Sequence, residues 1–316
     1  MDFEDELPDV SVVIPSIGRE ELARAIDSVV KQDYAGRVEI VISFDLDESK
    51  VPPDAIAAAR TADVKVFTGG QRRGGFARNL GIESASGTWI AFLDDDDEWS
   101  PEKLRVQMNH ALTAKNQGRT PIVGCRVRQI VTKGAVRHEV SGIPAKLIRD
   151  GESIEEYLFR RRRPGALRAS FFTSTILVER SLCLEVPWDS TLSRHQDWDW
   201  LVRAGRVPPV SFIQTEETLV TYYVGTEGSI SAGADWKASH NWATAVLQHL
   251  DTGVFVDFIS AQTMRYALQK RDWLGVSAVV KSILKAGRLP ALGPFVIGAA
   301  GLLPRGTFQN LMRKFK

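Results

Sequence analysis

The stretch Trp89-Ile90-Ala91-Phe92-Leu93-Asp94-Asp95-Asp96-Asp97-Glu98-Trp99 constrains the fold more than any other part of this chain. An apolar, β-prone run stops abruptly at four consecutive aspartates. Such a run suits an interior strand whose carboxyl end opens to solvent, where open α/β sheets bind ligands. Side chains alternate along an extended chain, so Asp94 and Asp96 share one face. Two hard carboxylates there form a half-site for Mg²⁺ or Mn²⁺ and leave coordination positions for substrate phosphates. The plain alternative is a solvated acidic turn. Four like charges held at a strand end weaken it.

The segments around this run alternate between strand and helix. Val10-Ser11-Val12-Val13-Ile14-Pro15 reads as a buried strand stopped by proline. Glu20 to Gln32 has helical spacing, with Leu22, Ile26, Val29 and Val30 on one face. Val38 to Phe44 is a second buried strand, a short helix is expected over 53–62, and Val64 to Phe67 is a third strand. Gly69-Gly70 and Gly74-Gly75 mark a loop before a helix from about Phe76 to Ser84. Ser100 and Pro101 predict a capped helix running to about Lys115. The alternation predicts a doubly wound, mostly parallel α/β sheet of Rossmann-like type. Strands are also expected over 122–132, 136–140, 175–178 and 219–224, with a helix over 198–204. From about Asp235 the pattern turns mostly helical. The expected division is a domain over 1–234, with halves at about 8–118 and 119–234, followed by a helical, basic extension over 235–316.

Composition narrows the class. At 316 residues and 44% hydrophobic the chain can bury a sizeable core. A formal net charge of +1 argues against bulk electrostatic binding of nucleic acid. Cys125 and Cys183 lack metal-ligand spacing and suit a reducing cytoplasmic compartment. The acidic start Met1-Asp2-Phe3-Glu4-Asp5-Glu6 is unlike a secretory signal.

Four blocks then show a resemblance. They are Val10 to Ser16, Gly74-Gly75-Phe76-Ala77-Arg78-Asn79-Leu80-Gly81-Ile82 with Ala85 to Asp97, His195-Gln196-Asp197-Trp198-Asp199-Trp200, and Tyr222 to Ser231. In this order they resemble a family 2 glycosyltransferase of the GT-A fold. The second block is the most specific. The chain departs from the family at three places. Phe44-Asp45-Leu46-Asp47 replaces a usual aspartate pair, with Asp45 preferred over Asp47 for base reading. Gln196 stands where glutamate is usual. Thr226 stands where some members carry a metal-binding histidine, which leaves the third protein ligand to His195 or to solvent.

The resemblance implies a metal-dependent, inverting transfer from a nucleoside-diphosphate sugar, most often a UDP-sugar, to a hydroxyl of a glycan or lipid-linked acceptor. It implies Asp96 as direct metal ligand, with Asp94 at the ribose or a metal-bound water. Pro15, Ser16, Asp45, Asp94, Asp95, Arg73 and Arg78 are the expected nucleotide contacts; arginine forks suit phosphate oxygens. Asp197 is the expected general base, and a partly desolvated carboxylate beside Trp198 would have a raised pKa. Its plain alternative is a helix N-cap. Trp198, Arg161 and Arg162 are assigned to the acceptor, the last two from the run Arg160 to Arg163, whose plain alternative is a solvated charge cluster.

Two other classes compete with this reading. A non-catalytic sugar-nucleotide module would keep the aspartates and lack a base. A nucleotidyltransferase would need a glycine-rich, lysine-bearing loop after the first strand, and Pro15-Ser16-Ile17-Gly18-Arg19 is too short and glycine-poor. Leu289 to Pro304 is apolar but broken by proline and glycine, and too short for a confident span. It is flanked by Lys281, Lys285, Arg288, Arg305, Arg313, Lys314 and Lys316, and no acidic residue follows Asp272. This predicts peripheral contact with the cytoplasmic face of a membrane, against the alternative of a helical cap on the catalytic domain.

Overall fold

The computed structural model describes residues 7–133, 136–160, 169–224 and 234–303. These fall into two compact units. The first draws on Met1–Gly151, Ser170–Leu192 and Gln196–Gly228, the second on Glu152–Ala169, Ser193–His195 and Ser229–Lys316. The units thus interleave in sequence, unlike the single boundary expected at 234. The reason is long-range packing: Phe159 lies edge-on to Trp242 and Phe258, at 6.0 and 5.1 Å between ring centroids.

The first unit is built on one sheet. Its strands are β1 (Val10–Ser16), β2 (Val38–Phe44), β3 (Val64–Phe67), β4 (Trp89–Phe92), β5 (Glu98–Trp99), β6 (Thr120–Lys133), β7 (Val136–Ile143), β8 (Leu177–Glu179) and β9 (Val210–Val224). Their order is β3-β2-β1-β4-β8-β6-β9-β5, with β7 paired to β6. The four strands β3-β2-β1-β4 are parallel, as expected. Beyond them β8 is antiparallel to both β4 and β6, while β6 and β9 are parallel. The whole sheet is therefore more mixed than the opening alternation implies. β2 and β3 lie on one side of β1 and β4 on the other. The chain thus reverses its winding between β1 and β4, and the crevice at that switch point opens at the strands' carboxyl ends.

Helices α1 (Leu22–Val30), α2 (Pro53–Ala58), α3 (Arg73–Ser84) and α4 (Lys103–Asn116) belong to this unit. Leu22, Ile26 and Val29 are buried as their spacing predicts, but Val30 is exposed. It is the last helical residue and lies about 100° round from Val29. Helix α3 starts at Arg73, so Gly74 and Gly75 are helical rather than loop. Tertiary packing overrides their poor propensity: a Cβ on Gly75 would sit 3.0 Å from the Asp189 carbonyl, and one on Gly81 would strike Val13 at 2.6 Å. Ser100 does not cap α4 through its side chain. Gln32 does so from another element, its Oε1 accepting from the Leu104 amide at 3.0 Å.

Lys103, the first residue of α4, is fully buried. Its Nζ lies 3.8 Å from the Trp99 ring centroid, and burial lowers the amine to about 7 from 10.5. In the unfolded chain the amine titrates near its ordinary value, so between the two values the unfolded state binds the extra proton. Stability from this residue therefore rises as pH increases from about 7 towards 10.5. Lys103→Met, of similar length, is expected to raise stability at neutral pH by on the order of a few kcal/mol and to flatten that pH dependence. Denaturant unfolding at pH 7 and pH 10 checks both; an unchanged midpoint at pH 7 would refute the penalty.

The second unit is helical, with α5 (Ile154–Phe159), α8 (Trp236–Val246), α9 (Thr252–Phe258), α10 (Met264–Gln269), α11 (Trp273–Ala286) and α12 (Leu292–Ala299). The first unit's α6 (Arg180–Glu185) and α7 (Gln196–Ala204) fall between α5 and α8 in the chain. Asp235, Asp251 and Asp272 cap α8, α9 and α11 through their side chains, and Gly287 ends α11 at φ 63°. Among the described residues no helix is long and apolar enough to cross a membrane.

Candidate active site

The four aspartates follow β4 at the switch point, and each has a different environment. Asp97 is completely buried. It accepts from the Ser174 hydroxyl and, at 3.2 Å, from the Tyr223 amide. Burial, reinforced by Asp94 and Asp96, raises its pKa. Asp97 is thus an internal strut. Asp95 accepts from the Ser16 hydroxyl at 2.7 Å and from the Ile17 amide at 3.3 Å. It fastens the end of β1 to the acidic turn, and burial lifts its pKa to about 6. Ser16 and Asp95, both expected at the nucleotide, therefore bind one another, and Pro15 lies within β1 next to them.

Asp94 and Asp96 are the more exposed pair, although the four aspartates lie in a turn after β4, closed by the Asp97 amide on the Asp94 carbonyl at 3.1 Å, rather than in an extended strand. The side chains of Asp94 and Asp96 are 32% and 15% exposed, against 7% for Asp95. Each meets an arginine. Arg78 Nη2 donates to Asp94 Oδ1 at 2.7 Å, and Arg19 Nη1 to Asp96 Oδ2 at 2.6 Å. Arg24 donates to the Asp96 carbonyl at 2.9 Å while stacking over Tyr223. Arg19 and Arg24 carry no local sequence signal, because only the turn after β1 and the packing of α1 bring them here.

Arg78 ties this cluster to the third sequence block. Its guanidinium lies over Trp188 at 4.8 Å, and Nη1 reaches Gln196 Oε1 at 3.5 Å. Asn79 braces the same segment with two bonds to the Trp188 backbone, at 2.8 and 2.9 Å. Trp188 in turn stacks on Trp200 of α7, at 5.1 Å. The next residue after Gln196 is Asp197, in the first turn of α7. Desolvation raises its pKa, while Arg78 acts to lower it and Asp94 to raise it. Asp197 thus feels both members of the Arg78–Asp94 pair. Tyr222 borders the same cluster: burial first, then Asp97, Asp94, Asp96 and Asp197, push its phenol upward. Only the pairing of β9 with β6 and β5 brings it there, so its position was not readable from its block.

Asp45, at the end of β2, accepts from the Thr68 hydroxyl at 2.8 Å and from the Arg72 and Arg73 amides at 2.7 and 2.8 Å. It caps the start of α3, and Asp47 instead pairs with Lys50 at 3.0 Å. Arg73 has φ 75° and donates from Nη1 to the Thr191 carbonyl at 2.7 Å. Its guanidinium is thereby directed to the 189–191 turn rather than to the acidic cluster.

His195 differs from its expected place as a metal ligand. It is buried in the helical unit, its Nε2 is 2.7 Å from Ser239 Oγ, and its ring packs on Trp242 and Phe258. Burial lowers its pKa to about 3. Trp198 lies half-buried in the first turn of α7. Arg161 and Arg162, and Thr226 with the rest of the fourth block's tail, lie outside the described residues. Among the described residues no three histidines, cysteines, aspartates or glutamates are grouped to hold a metal. A cation of the Mg²⁺ type needs no such group. One or two carboxylates suffice when water and phosphate oxygens complete the shell. The oxygen-only pair Asp94 and Asp96 fits that chemistry.

A parallel β3-β2-β1-β4 half with acidic residues at its switch point, continued by a mixed sheet, is the arrangement of the GT-A fold. The chain belongs to glycosyl transferase family 2, whose family model matches residues 11–168. It is a glycosyltransferase. It is 29% identical over 245 residues to the amylovoran biosynthesis glycosyltransferase AmsB of Erwinia amylovora, covering 76% of this chain and 78% of that protein. It is 35% identical over 105 residues to the Escherichia coli UDP-Glc:alpha-D-GlcNAc-diphosphoundecaprenol beta-1,3-glucosyltransferase WfgD, covering 33% of this chain and 41% of that protein. In fold it resembles S. aureus TarS 1-349 in complex with UDP-GlcNAc, with a TM-score of 0.58 at 12% identity, over 97% of this chain and 92% of that one.

Proposed function

We propose that this enzyme transfers a sugar from a UDP-sugar to a hydroxyl of a lipid-linked glycan, with inversion and with Mn²⁺ or Mg²⁺, in the synthesis of a surface polysaccharide at the cytoplasmic face of the membrane. The observation that carries the reading is Arg78. It joins the open carboxylate Asp94 to the start of α7, one residue before Asp197. That proximity supports reading the Arg78–Asp94 pair as part of the site that meets the diphosphate and the desolvated Asp197 as the base beside it. The relatives support the finer terms: one is named for a polysaccharide, another for a UDP-glucose donor and a diphosphoundecaprenol acceptor.

In this reading Asp96 and Asp94 hold the cation. When bound, it supplies Lewis-acid neutralisation of the leaving diphosphate. Arg78 and Arg19 then exchange carboxylate partners for phosphate oxygens, which guanidinium forks match well. Asp197 takes the proton of the acceptor hydroxyl as that oxygen attacks the anomeric carbon. The bond from that carbon to the diphosphate breaks on the opposite face, and UDP leaves. One displacement needs no covalent enzyme intermediate. Ser16, Asp95, Asp45 and Arg73 shape the nucleotide crevice, Asp95 and Asp45 chiefly by holding its walls. Trp198 with Arg161 and Arg162 serves the acceptor.

A thermal-shift series with nucleoside diphosphates, each with and without Mn²⁺, tests the donor assignment. A ligand at about 100 times its Kd adds roughly 2.7 kcal/mol to stability. UDP with Mn²⁺ is expected to raise Tm by several degrees, and more than GDP or TDP. A larger shift with another base would change the donor, and no shift with any of them would overturn the reading. Release of nucleoside diphosphate rather than pyrophosphate separates sugar transfer from nucleotidyl transfer.

A further inference from the structure

Helix α12 is built inside out. Its buried positions are Gly293, Pro294 and Gly298, followed by Ala300 and Gly301. These are seated so closely that a Cβ on Gly298 would lie 2.0 Å from the Ser260 carbonyl, and one on Gly301 2.6 Å from that of Arg265. The large apolar residues point the other way. Leu292 is 61% exposed and Phe295 59%, with Val296 and Ala299 beside them at helical spacing. An apolar helix seated on water-filled surroundings normally does the reverse.

The same preference for exposed large hydrophobes continues along the unit. Leu289 is 82% exposed, and on α11 Trp273, Leu274, Val280 and Leu284 are exposed as well. Trp273, Val280 and Leu284 recur at intervals of seven and four, so they line one stripe. Lys281 and Lys285 are exposed on the same helix, and Arg288 follows it. No acidic residue follows Asp272 in the sequence, whereas seven lysines and arginines follow Leu274.

We propose that the outward faces of α11 and α12 dock into an anionic lipid surface, lying in its plane rather than crossing it. Apolar residues among exposed cations, with the nearby carboxylates Asp272 and Asp257 engaged as the α11 cap and, buried, on the Ala291 amide, match a bilayer with acidic headgroups by both burial and charge. A second protein copy would meet the same cations and be repelled by them. Trp273, at the end of the stripe, suits the headgroup boundary. The proposal names the contact behind the membrane location given above, but its test needs no donor, metal or transfer activity, so the two readings fail separately.

The test is cosedimentation of the full chain, without nucleotide, with vesicles of phosphatidylcholine alone or mixed with phosphatidylglycerol. Strong binding to the anionic vesicles at low salt and weak binding to the neutral ones are expected. Leu292→Ser with Phe295→Ser should weaken binding by about tenfold or more. Lys281→Glu with Lys285→Glu should weaken it by about 30-fold or more, since each cation near such a surface is worth roughly fivefold. All four positions are exposed, so unchanged circular dichroism and Tm are expected. Binding should also blue-shift tryptophan fluorescence, by less in Trp273→Phe. Absence of sedimentation at low salt would overturn the proposal, as would binding indifferent to both double variants. Vesicle-free dimers that Phe295→Ser dissociates, in a protein that ignores vesicles, would assign the face to a second copy instead.

Discussion

Replacement of Asp197 by asparagine is expected to lower kcat by about 10²- to 10⁴-fold, the usual contribution of a general base. The side chain keeps its size but no longer accepts a proton. Asp197 is desolvated and lies in the field of Arg78 and Asp94, so its proton affinity is above that of an ordinary aspartate. In the wild type the acid limb of the kcat/KM profile should therefore fall at a higher pH than for a free carboxylate. That limb should disappear in the variant. UDP binding should persist, because the residues proposed to meet the diphosphate, Asp94, Asp96, Arg19 and Arg78, are others. Stopped turnover with an unchanged nucleotide thermal shift is the expected pair of readings. Normal turnover, or loss of nucleotide binding with turnover per bound donor intact, would remove Asp197 from the base role.

Asp96→Ala is the second large effect. Asp96 is one of the two more exposed carboxylates of the turn, and its partner Arg19 keeps Asp95 at 3.6 Å when it is gone. The fold should therefore survive, which the Tm without ligand checks. Under the proposed role of Asp96 as ligand to a metal worth several kcal/mol at the leaving group, kcat/KM is expected to fall at least about 10³-fold. The thermal shift by UDP should lose its Mn²⁺-dependent increment and retain the remainder. Full activity of this variant in EDTA would refute the metal assignment. By contrast Asp97→Ala should act mainly on stability, since Asp97 is buried and bonded to Ser174 and the Tyr223 backbone.

Much of the architecture was legible along the chain. Buried parallel strands such as Val10–Ser16 and Val38–Phe44 read as runs rich in valine and isoleucine on both faces, because both faces are covered. The acidic block is recognisable because four charges after an apolar strand have few stable locations. Helix starts were less legible. The onset of α3 depends on Asp45, 27 residues earlier than Arg72, accepting its amide. The onset of α4 depends on Gln32, 72 residues before Leu104. Capping from a distant element leaves no mark within the local window.

The sequence by itself determined the family, the parallel half-sheet, and the placing of carboxylates at a strand end. All three rest on local periodicity and on motifs of contiguous residues. Only the tertiary structure decided what each carboxylate does. Asp94 and Asp96 stay partly exposed in pairs with Arg78 and Arg19, while Asp95 and Asp97 are struts, because Ser16 and Ser174 arrive from separate parts of the chain to bind the latter pair. It also moved His195 from an expected ligand to a buried ring beside Ser239, and it turned the large apolar residues of α12 outward. Those outcomes depend on which surfaces meet, and a residue's own neighbours in the chain do not carry that information.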